Sequence, residues 1–148
     1  MIRLAQSSDD ASIHQLLVDN IAGTQSTDTQ WISDRLTSAC SLIVVDDECG
    51  TIVGAIVGQV VEDEAEIHDV AITTKFRKQG RAAKLVLEFE RRAAEMGSTQ
   101  VFLEVRASND PAKRLYQKVG YRSEHTRRHY YSDGEDALIF NKDIQHTT

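Results

Sequence analysis

Residues 76–87, FRKQGRAAKLVL, set a basic glycine turn between a strand-like run and the start of an amphipathic helix, and that order limits the folds open to the chain. Upstream, residues 66–73 read as a strand; downstream, Ala83, Leu85, Val86, Phe89 and Ala93 recur at helical spacing. The first turn of such a helix carries N–H groups without intrahelical partners and the positive end of the helix dipole, a combination that holds phosphate. Gly80 puts no Cβ in the way of a ligand. Lys75, Arg77, Lys78, Arg81 and Lys84 gather positive charge in a chain whose formal net charge is -6. The pattern points to an anionic, nucleotide-like ligand, but fits neither G-x-G-x-x-G nor G-x-x-x-x-G-K-[ST]. Taken alone, the segment is equally compatible with a solvated basic helix start.

The rest of the chain supplies context. At 148 residues, with one proline, no low-complexity tract and no internal repeat, residues 1–148 are expected to form a single domain. No run approaches the roughly 20 apolar residues that span a bilayer, and MIRLAQSSDD lacks the apolar core of a signal peptide, so the expectation is a cytoplasmic protein without a membrane partner. Cys40 and Cys49 fall in no metal or C-x-x-C spacing; we assign them no function and expect no metal. The acidic balance argues against nucleic acid as a partner.

Periodicity predicts a strand over 2–4 and a helix beginning near Ser8, with Ile13, Leu16, Leu17 and Ile21 on one face. A second helix follows over 28–39. Strands over 42–45 and 52–61 form a hairpin across the turn-forming residues 46–50, and a further strand covers 65–73. The helix over 80–96 leads to an alternating strand over 100–106. Ala112, Leu115, Tyr116 and Val119 then mark a helix closed by Gly120, and strands over 121–131 and 137–143 end the order βααβββαβαββ.

Arg77-Lys78-Gln79-Gly80-Arg81-Ala82 matches [RQ]-x-x-G-x-[GA], and on these residues the chain resembles the Gcn5-related N-acetyltransferase (GNAT) superfamily. Two further blocks agree, in the same order: Leu103 to Asn109, LEVRASN, similar to the L-E-V-R-x-S-N segment of ribosomal-protein-alanine N-acetyltransferases, and Leu115 to Tyr121, LYQKVGY. A third, Arg127 to Ala137, RRHYYSDGEDA, resembles the Y-Y-x-D-G-E-D-A ending shared by those enzymes and by protein N-terminal acetyltransferases. The resemblance covers about the C-terminal half. It implies the α/β (α+β) GNAT fold, a mixed, mostly antiparallel sheet of about seven strands flanked by four helices. It also implies acetyl-CoA as cosubstrate and an acceptor amine, a protein N-terminus in the ribosomal-protein type.

Carried onto this sequence, the family's roles fall as follows. Arg77, Lys78, Gln79, Gly80, Arg81, Ala82 and Ala83 take the pyrophosphate of coenzyme A; the backbone of Val70, Ala71 and Ile72 takes its pantetheine; Asn109 and Tyr116 add contacts. Glu104 stands where the family has its general base, and Tyr116 where it has the acid that protonates the departing thiolate. Alternation alone is satisfied if Glu104 pairs with Arg106 or solvent, and helical spacing alone makes Tyr116 a packing residue. Asn109 also suits a helix cap ahead of Pro111.

Glu66 is the second candidate base, at the position of the histone-type enzymes' glutamate, and otherwise extends the acidic run Glu62, Asp63, Glu64. His68, on the same face, stays unassigned. Tyr130 and Tyr131, with Glu66, are the residues expected to shape the acceptor site. The stretch from Asn20 to Trp31 lacks the proline-tryptophan segment of the ribosomal-protein enzymes, which leaves the acceptor open. A small-molecule amine or lysine side chain is the alternative acceptor, and a non-catalytic acyl-CoA-binding module the third reading. The oligomeric state, monomer or homodimer, is not readable.

Overall fold

The computed structural model describes residues 1–20 and 38–144. Seven strands, β1 (Ile2–Leu4), β2 (Ser41–Glu48), β3 (Thr51–Val61), β4 (Glu64–Ile72), β5 (Gln100–Arg106), β6 (Arg122–Arg127) and β7 (Ala137–Asp143), form one sheet in the order β1-β2-β3-β4-β5-β7-β6. All neighbours are antiparallel except β4 and β5. The described helices are α1 (Asp10–Asn20), α2 (Arg81–Glu95) and α3 (Asp110–Lys118). The helix expected over 28–39 lies, but for its last two residues, outside the described residues. So does the segment that departs from the family pattern.

Strand alternation splits the core into two layers. Ala55 and Val57 of β3 pack with Ile13, Leu16 and Leu17 of α1, whereas Ile56 and Val60 meet Leu85, Val86, Phe89 and Ala93 of α2. The helices therefore cover opposite faces. Each fully buried leucine or phenylalanine here contributes about 1.5–3 kcal/mol by leaving water. At Gly58 an added Cβ would lie 2.2 Å from the Glu66 carbonyl oxygen and 2.6 Å from Phe89 Cζ, so the missing side chain lets α2 sit close against the sheet.

Opposite Gly58, β4 carries one extra residue. Val57 pairs with Asp69 and Gly58 with Ile67, which leaves His68 as a bulge. Before it, Ala65 and Ile67 face α2; beyond it, Ile72 does, while Ala71 turns to the α1 side. The bulge thus reverses the parity of the strand. It also coincides with the end of parallel pairing, because β4 meets β5 only from Glu64↔Gln100 to Ile67↔Leu103.

Several boundaries differ from the sequence reading. The residues 46–50 read as a turn are not one: β2 runs on to Glu48, and only Cys49 and Gly50, both at positive φ (53° and 92°), make the turn. Two such residues match the twist of a tight hairpin. Asp46, although a turn former, is buried and ion-paired. The first helix opens with a single 3-10 turn, Ser7–Asp9, before α1. The strand expected over 121–131 stops at Arg127, so Tyr130 and Tyr131 lie in the β6–β7 loop.

Candidate active site

Where β4 and β5 part, their facing backbone edges have no strand between them, and buried backbone polar groups need partners. Two adjoining cavities occupy this split. One, about 360 Å³, is bordered by Val70, Ala71, Ile72, Arg77, Ala82, Asn109, Pro111, Ala112, Leu115 and Tyr116. The other, about 580 Å³, is bordered by His68, Asp69, Val70, Glu104, Val105, Arg106, Ser108, Asn109, Ala112, Tyr116 and Tyr131. Val70, Asn109, Ala112 and Tyr116 border both, so the two form one cleft.

The loop end is made by the start of α2. Lys78 and Gly80 take positive φ (61° and 76°), the sharp turn that delivers the chain into the helix. Gly80 is the N-cap, no side chain caps the helix, and the first helical bond across it runs from Lys84 N–H to the Gly80 carbonyl at 3.2 Å. The N–H groups of Arg81, Ala82 and Ala83 thus have no intrahelical acceptors. Open space surrounds the place where a Gly80 Cβ would stand. Arg77 Nε donates to the Ile72 carbonyl at 2.9 Å, tying the loop to the end of β4. Arg81 is used differently. Its Nη1 bridges Asp46 at 2.9 Å and Glu48 at 3.0 Å, and its guanidinium lies 4.6 Å from the Phe76 ring centre.

Tyr116 forms the middle of the cleft. It is 6% exposed and edge-on to Tyr121 and Phe140, with ring centres 5.5 and 6.5 Å away. Burial, and secondarily the negative charge of Asp69, pushes its pKa above the ordinary phenol value, so it is protonated throughout the neutral range. Asn109 accepts from Ala112 N–H at 3.2 Å and caps α3, the capping role open to it from sequence.

At the far end, Glu104 is half-buried, and its ion-pair partner is Arg127 at 3.8 Å. Arg106 instead bridges Asp133 at 2.8 Å and Glu135 at 3.0 Å. The neighbouring Glu104 carboxylate is the first of the causes raising the Tyr130 pKa. Tyr131 lies edge-on to Tyr130 at 5.2 Å and beneath the Arg106 guanidinium at 4.0 Å, while Arg127 stands 5.4 Å over Tyr130. Glu135 also accepts from Ser108 N–H at 2.8 Å, and Asp136 accepts from His129 N–H at 2.9 Å where the chain turns at φ 52°. The acidic block after the tyrosines is a scaffold that fixes the loop onto the start of α3.

Several expected residues therefore come together: Val70, Ala71, Ile72, Arg77, Ala82, Asn109, Tyr116, Glu104 and Tyr131 all border the cleft. Glu66 does not border it. Its carboxylate is bonded to the His68 ring at 2.7 Å, and His68 is the residue that reaches the cavity. Arg106, Arg127 and Glu135 were not singled out from sequence. The alternation that puts Arg106 on the Glu104 face was the available signal for one of them. Among the described residues no group of three His, Cys, Asp or Glu is placed to hold a metal ion. No described helix is long and apolar enough to cross a membrane.

A model of the acetyltransferase (GNAT) family matches residues 10–121. The chain belongs to this family. The [ribosomal protein bS18]-alanine N-acetyltransferase of Escherichia coli is 38% identical over 84 residues, 55% of this chain and 57% of that protein. The N-alpha-acetyltransferase of Sulfurisphaera tokodaii is 35% identical over 77 residues, 51% of this chain and 46% of that protein. The chain thus spans about half the length of the curated relatives it matches. The crystal structure of the ribosomal-protein-S18-alanine N-acetyltransferase from Escherichia coli is similar over 100% of this chain and 96% of that one, with a TM-score of 0.87 at 26% identity. The seven-stranded mixed sheet of the GNAT family is the fold found here.

Proposed function

We propose that this chain is an acetyl-CoA-dependent N-acetyltransferase whose acceptor is the α-amino group of a protein N-terminus, in the manner of the ribosomal-protein enzymes it resembles. The observation that carries the reading is the single cleft running from the uncapped start of α2, past Tyr116, to Glu104 and Tyr131. The residues fit the cosubstrate. Unpaired N–H groups beside a turn with no Cβ suit its pyrophosphate, and the parted edges of β4 and β5 suit an extended amide-bearing arm. When bound, acetyl-CoA supplies the thioester.

Glu104 then acts as the base. An α-amine with a pKa of about 7.7 to 8.0 is largely protonated at neutral pH, and only its neutral form is nucleophilic, so a carboxylate that takes the proton raises the reactive fraction. An arriving ammonium group exchanges with Arg127 at Glu104, one cation for another. Tyr116, kept protonated by burial, donates a hydrogen bond to the sulfur as negative charge gathers there. Tyr130 and Tyr131 frame the acceptor entrance, held by Arg127 and Arg106. Glu66, committed to His68, takes no direct part.

The test is thiol release from acetyl-CoA against a panel of alanine-initiated peptides, lysine peptides with blocked N-termini, and polyamines. Release with the alanine-initiated peptides alone supports the proposal. Release only with lysine peptides or polyamines replaces the acceptor, and no release with any amine leaves a binding module.

A further inference from the structure

Behind Tyr116, away from the cleft, lies a buried polar cluster that the chemistry above does not use. Glu90, on α2, is 7% exposed, and its Oε1 receives Lys142 Nζ at 2.8 Å. The same Nζ donates to the Val119 carbonyl at 2.8 Å, the C-cap of α3, and stands 5.7 Å from the centre of the Tyr121 ring. Tyr121 is 2% exposed, packs edge-on against Tyr116, and donates its backbone N–H to the Tyr116 carbonyl at 2.9 Å. Its hydroxyl and Glu90 Oε2 are both buried and without a hydrogen-bond partner. Burial first, and the charge of Glu90 second, raise the Tyr121 pKa.

A buried carboxylate such as Glu90 is costly unless paired and hydrogen-bonded, and the part-buried Lys142 supplies that pairing. Here the pair spans three elements, α2, the end of α3 and β7. α2 is the helix whose first turn is proposed to hold the cosubstrate, and α3 carries Tyr116. No other ion pair among the described residues joins α2 to β7. We propose that Lys142 is a positioning residue for Tyr116: by binding Glu90 and the α3 C-cap together, it sets the register of α3 against α2, and Tyr121 passes that register to the Tyr116 ring. This inference rests on the reading of Tyr116 as the group that donates to sulfur.

Steady-state kinetics with acetyl-CoA and an alanine-initiated peptide test it on Lys142→Met, Lys142→Arg, Tyr116→Phe and the combination of Lys142→Met with Tyr116→Phe. Misplacement by a fraction of an ångström to one ångström costs about 10- to 100-fold, and Lys142→Met is expected to lower kcat by that factor. Acetyl-CoA affinity should stay within about twofold, since the first turn of α2 is untouched, and Lys142→Arg should restore most of kcat. In the Tyr116→Phe background the same substitution should cost less than about threefold, because the hydroxyl being placed is gone. Equal losses in both backgrounds, or a loss confined to acetyl-CoA affinity, overturn the proposal, as does an unchanged kcat in folded Lys142→Met.

If Lys142→Met does not fold, Glu90→Gln combined with Lys142→Met removes the stranded charge and carries the same comparison. Full kcat in Tyr116→Phe alone removes the reading of the donor, and this proposal with it. That failure is seen in a variant that leaves Lys142 intact.

Discussion

At the loop end of the cleft the groups proposed to face a ligand belong to the backbone: the N–H groups of Arg81, Ala82 and Ala83, and the parted edges of β4 and β5. At the other end they belong to side chains: Glu104, Tyr130 and Tyr131, braced by Arg106, Arg127 and Glu135. A backbone site needs only a turn of the right shape and a strand that bends away, so most side chains around it are free to change. A side-chain site needs each partner by name. The difference accounts for how each half responds to substitution, to pH and to inspection of the sequence.

The proposed chemistry sits where the halves meet, and the largest effects belong there. Glu104→Gln and Tyr116→Phe should each lower kcat about 10²- to 10⁴-fold while acetyl-CoA affinity is retained, because both keep shape and remove only the group that handles the proton. The residual rate of Glu104→Gln should climb toward high pH as the amine supplies its own neutral form. Glu66→Gln should cost far less, its carboxylate being bonded to His68. A severe Glu66→Gln beside a mild Glu104→Gln would transfer the base to β4 and undo the division drawn here.

Gly80→Glu attacks the loop end. It forces a side chain onto φ 76° and brings an anion to a place that is open space. At 100 times its dissociation constant, a ligand stabilises the native state by about 2.7 kcal/mol, and the accompanying rise in melting temperature should vanish in this variant. A shift that survives would mean that acetyl-CoA does not rest on this turn.

At the aromatic end, Arg106→Ala or Glu135→Gln should raise the acceptor KM about tenfold and leave acetyl-CoA affinity alone, since each removes a brace from the loop holding Tyr131. Equal damage to both substrates would show that the scaffold serves the whole cleft.

The same contrast explains what could be read in advance. The strands over 2–4, 100–106 and 137–143 are legible to the residue, and in 100–106 the reason is plain, since period-2 alternation survives when one face is buried. The turn at Gly80 was legible because glycine and clustered cations mark a backbone site. The His68 bulge left no glycine or proline signal within its own strand; the glycine opposite it, Gly58, belongs to β3. Residues 46–50 misled because aspartates favour turns, and only the fold reveals that Asp46 has Arg81 as a partner. Aromatic residues suit strands, so the sequence predicts strand at Tyr130 and Tyr131, whereas in the structure the segment is a loop in which Glu135 accepts from Ser108 N–H and Asp136 from His129 N–H.

Acid separates the halves without any mutation. Hydrogen bonding to Ser108 first, and to Arg106 second, holds the Glu135 carboxyl below its ordinary pKa, and Asp133 is lowered by the Glu135 backbone N–H and by Arg106. A carboxylate whose folded pKa is depressed contributes stability that is present above its unfolded pKa, near 4, and lost as pH falls through the folded value. The β6–β7 loop should therefore loosen below about pH 4, while the first turn of α2, tied to Asp46 and Glu48 only through the Arg81 side chain and closed by the backbone bond from Lys84 to Gly80, holds. Hydrogen exchange, corrected for its intrinsic pH dependence, should show protection falling at the Ser108 amide and unchanged at Lys84. Parallel loss at both would merge the two halves into one unit.

The smallest expected effect is the most discriminating for the loop end. Arg81 lies within the motif, beside three N–H groups proposed to hold phosphate, and by motif alone its charge should matter as much as any. The structure gives its guanidinium to Asp46 and Glu48 and stacks it on Phe76. Arg81→Ala therefore removes a brace between α2 and β2 but no group aimed at the ligand, and its backbone N–H remains. Acetyl-CoA affinity, measured by titration calorimetry, should fall less than about threefold, while the melting temperature drops because buried Asp46 is left with only the more distant Met1 ammonium, at 3.6 Å. Asp46→Asn in the same background should recover part of that drop by removing the stranded charge, and should again leave affinity unchanged. A fall of 100-fold or more in affinity would mean that Arg81 leaves Asp46 and Glu48 to grip the phosphates. The loop end would then depend on a named side chain just as the aromatic end does, and the contrast between the halves would fail where it is sharpest.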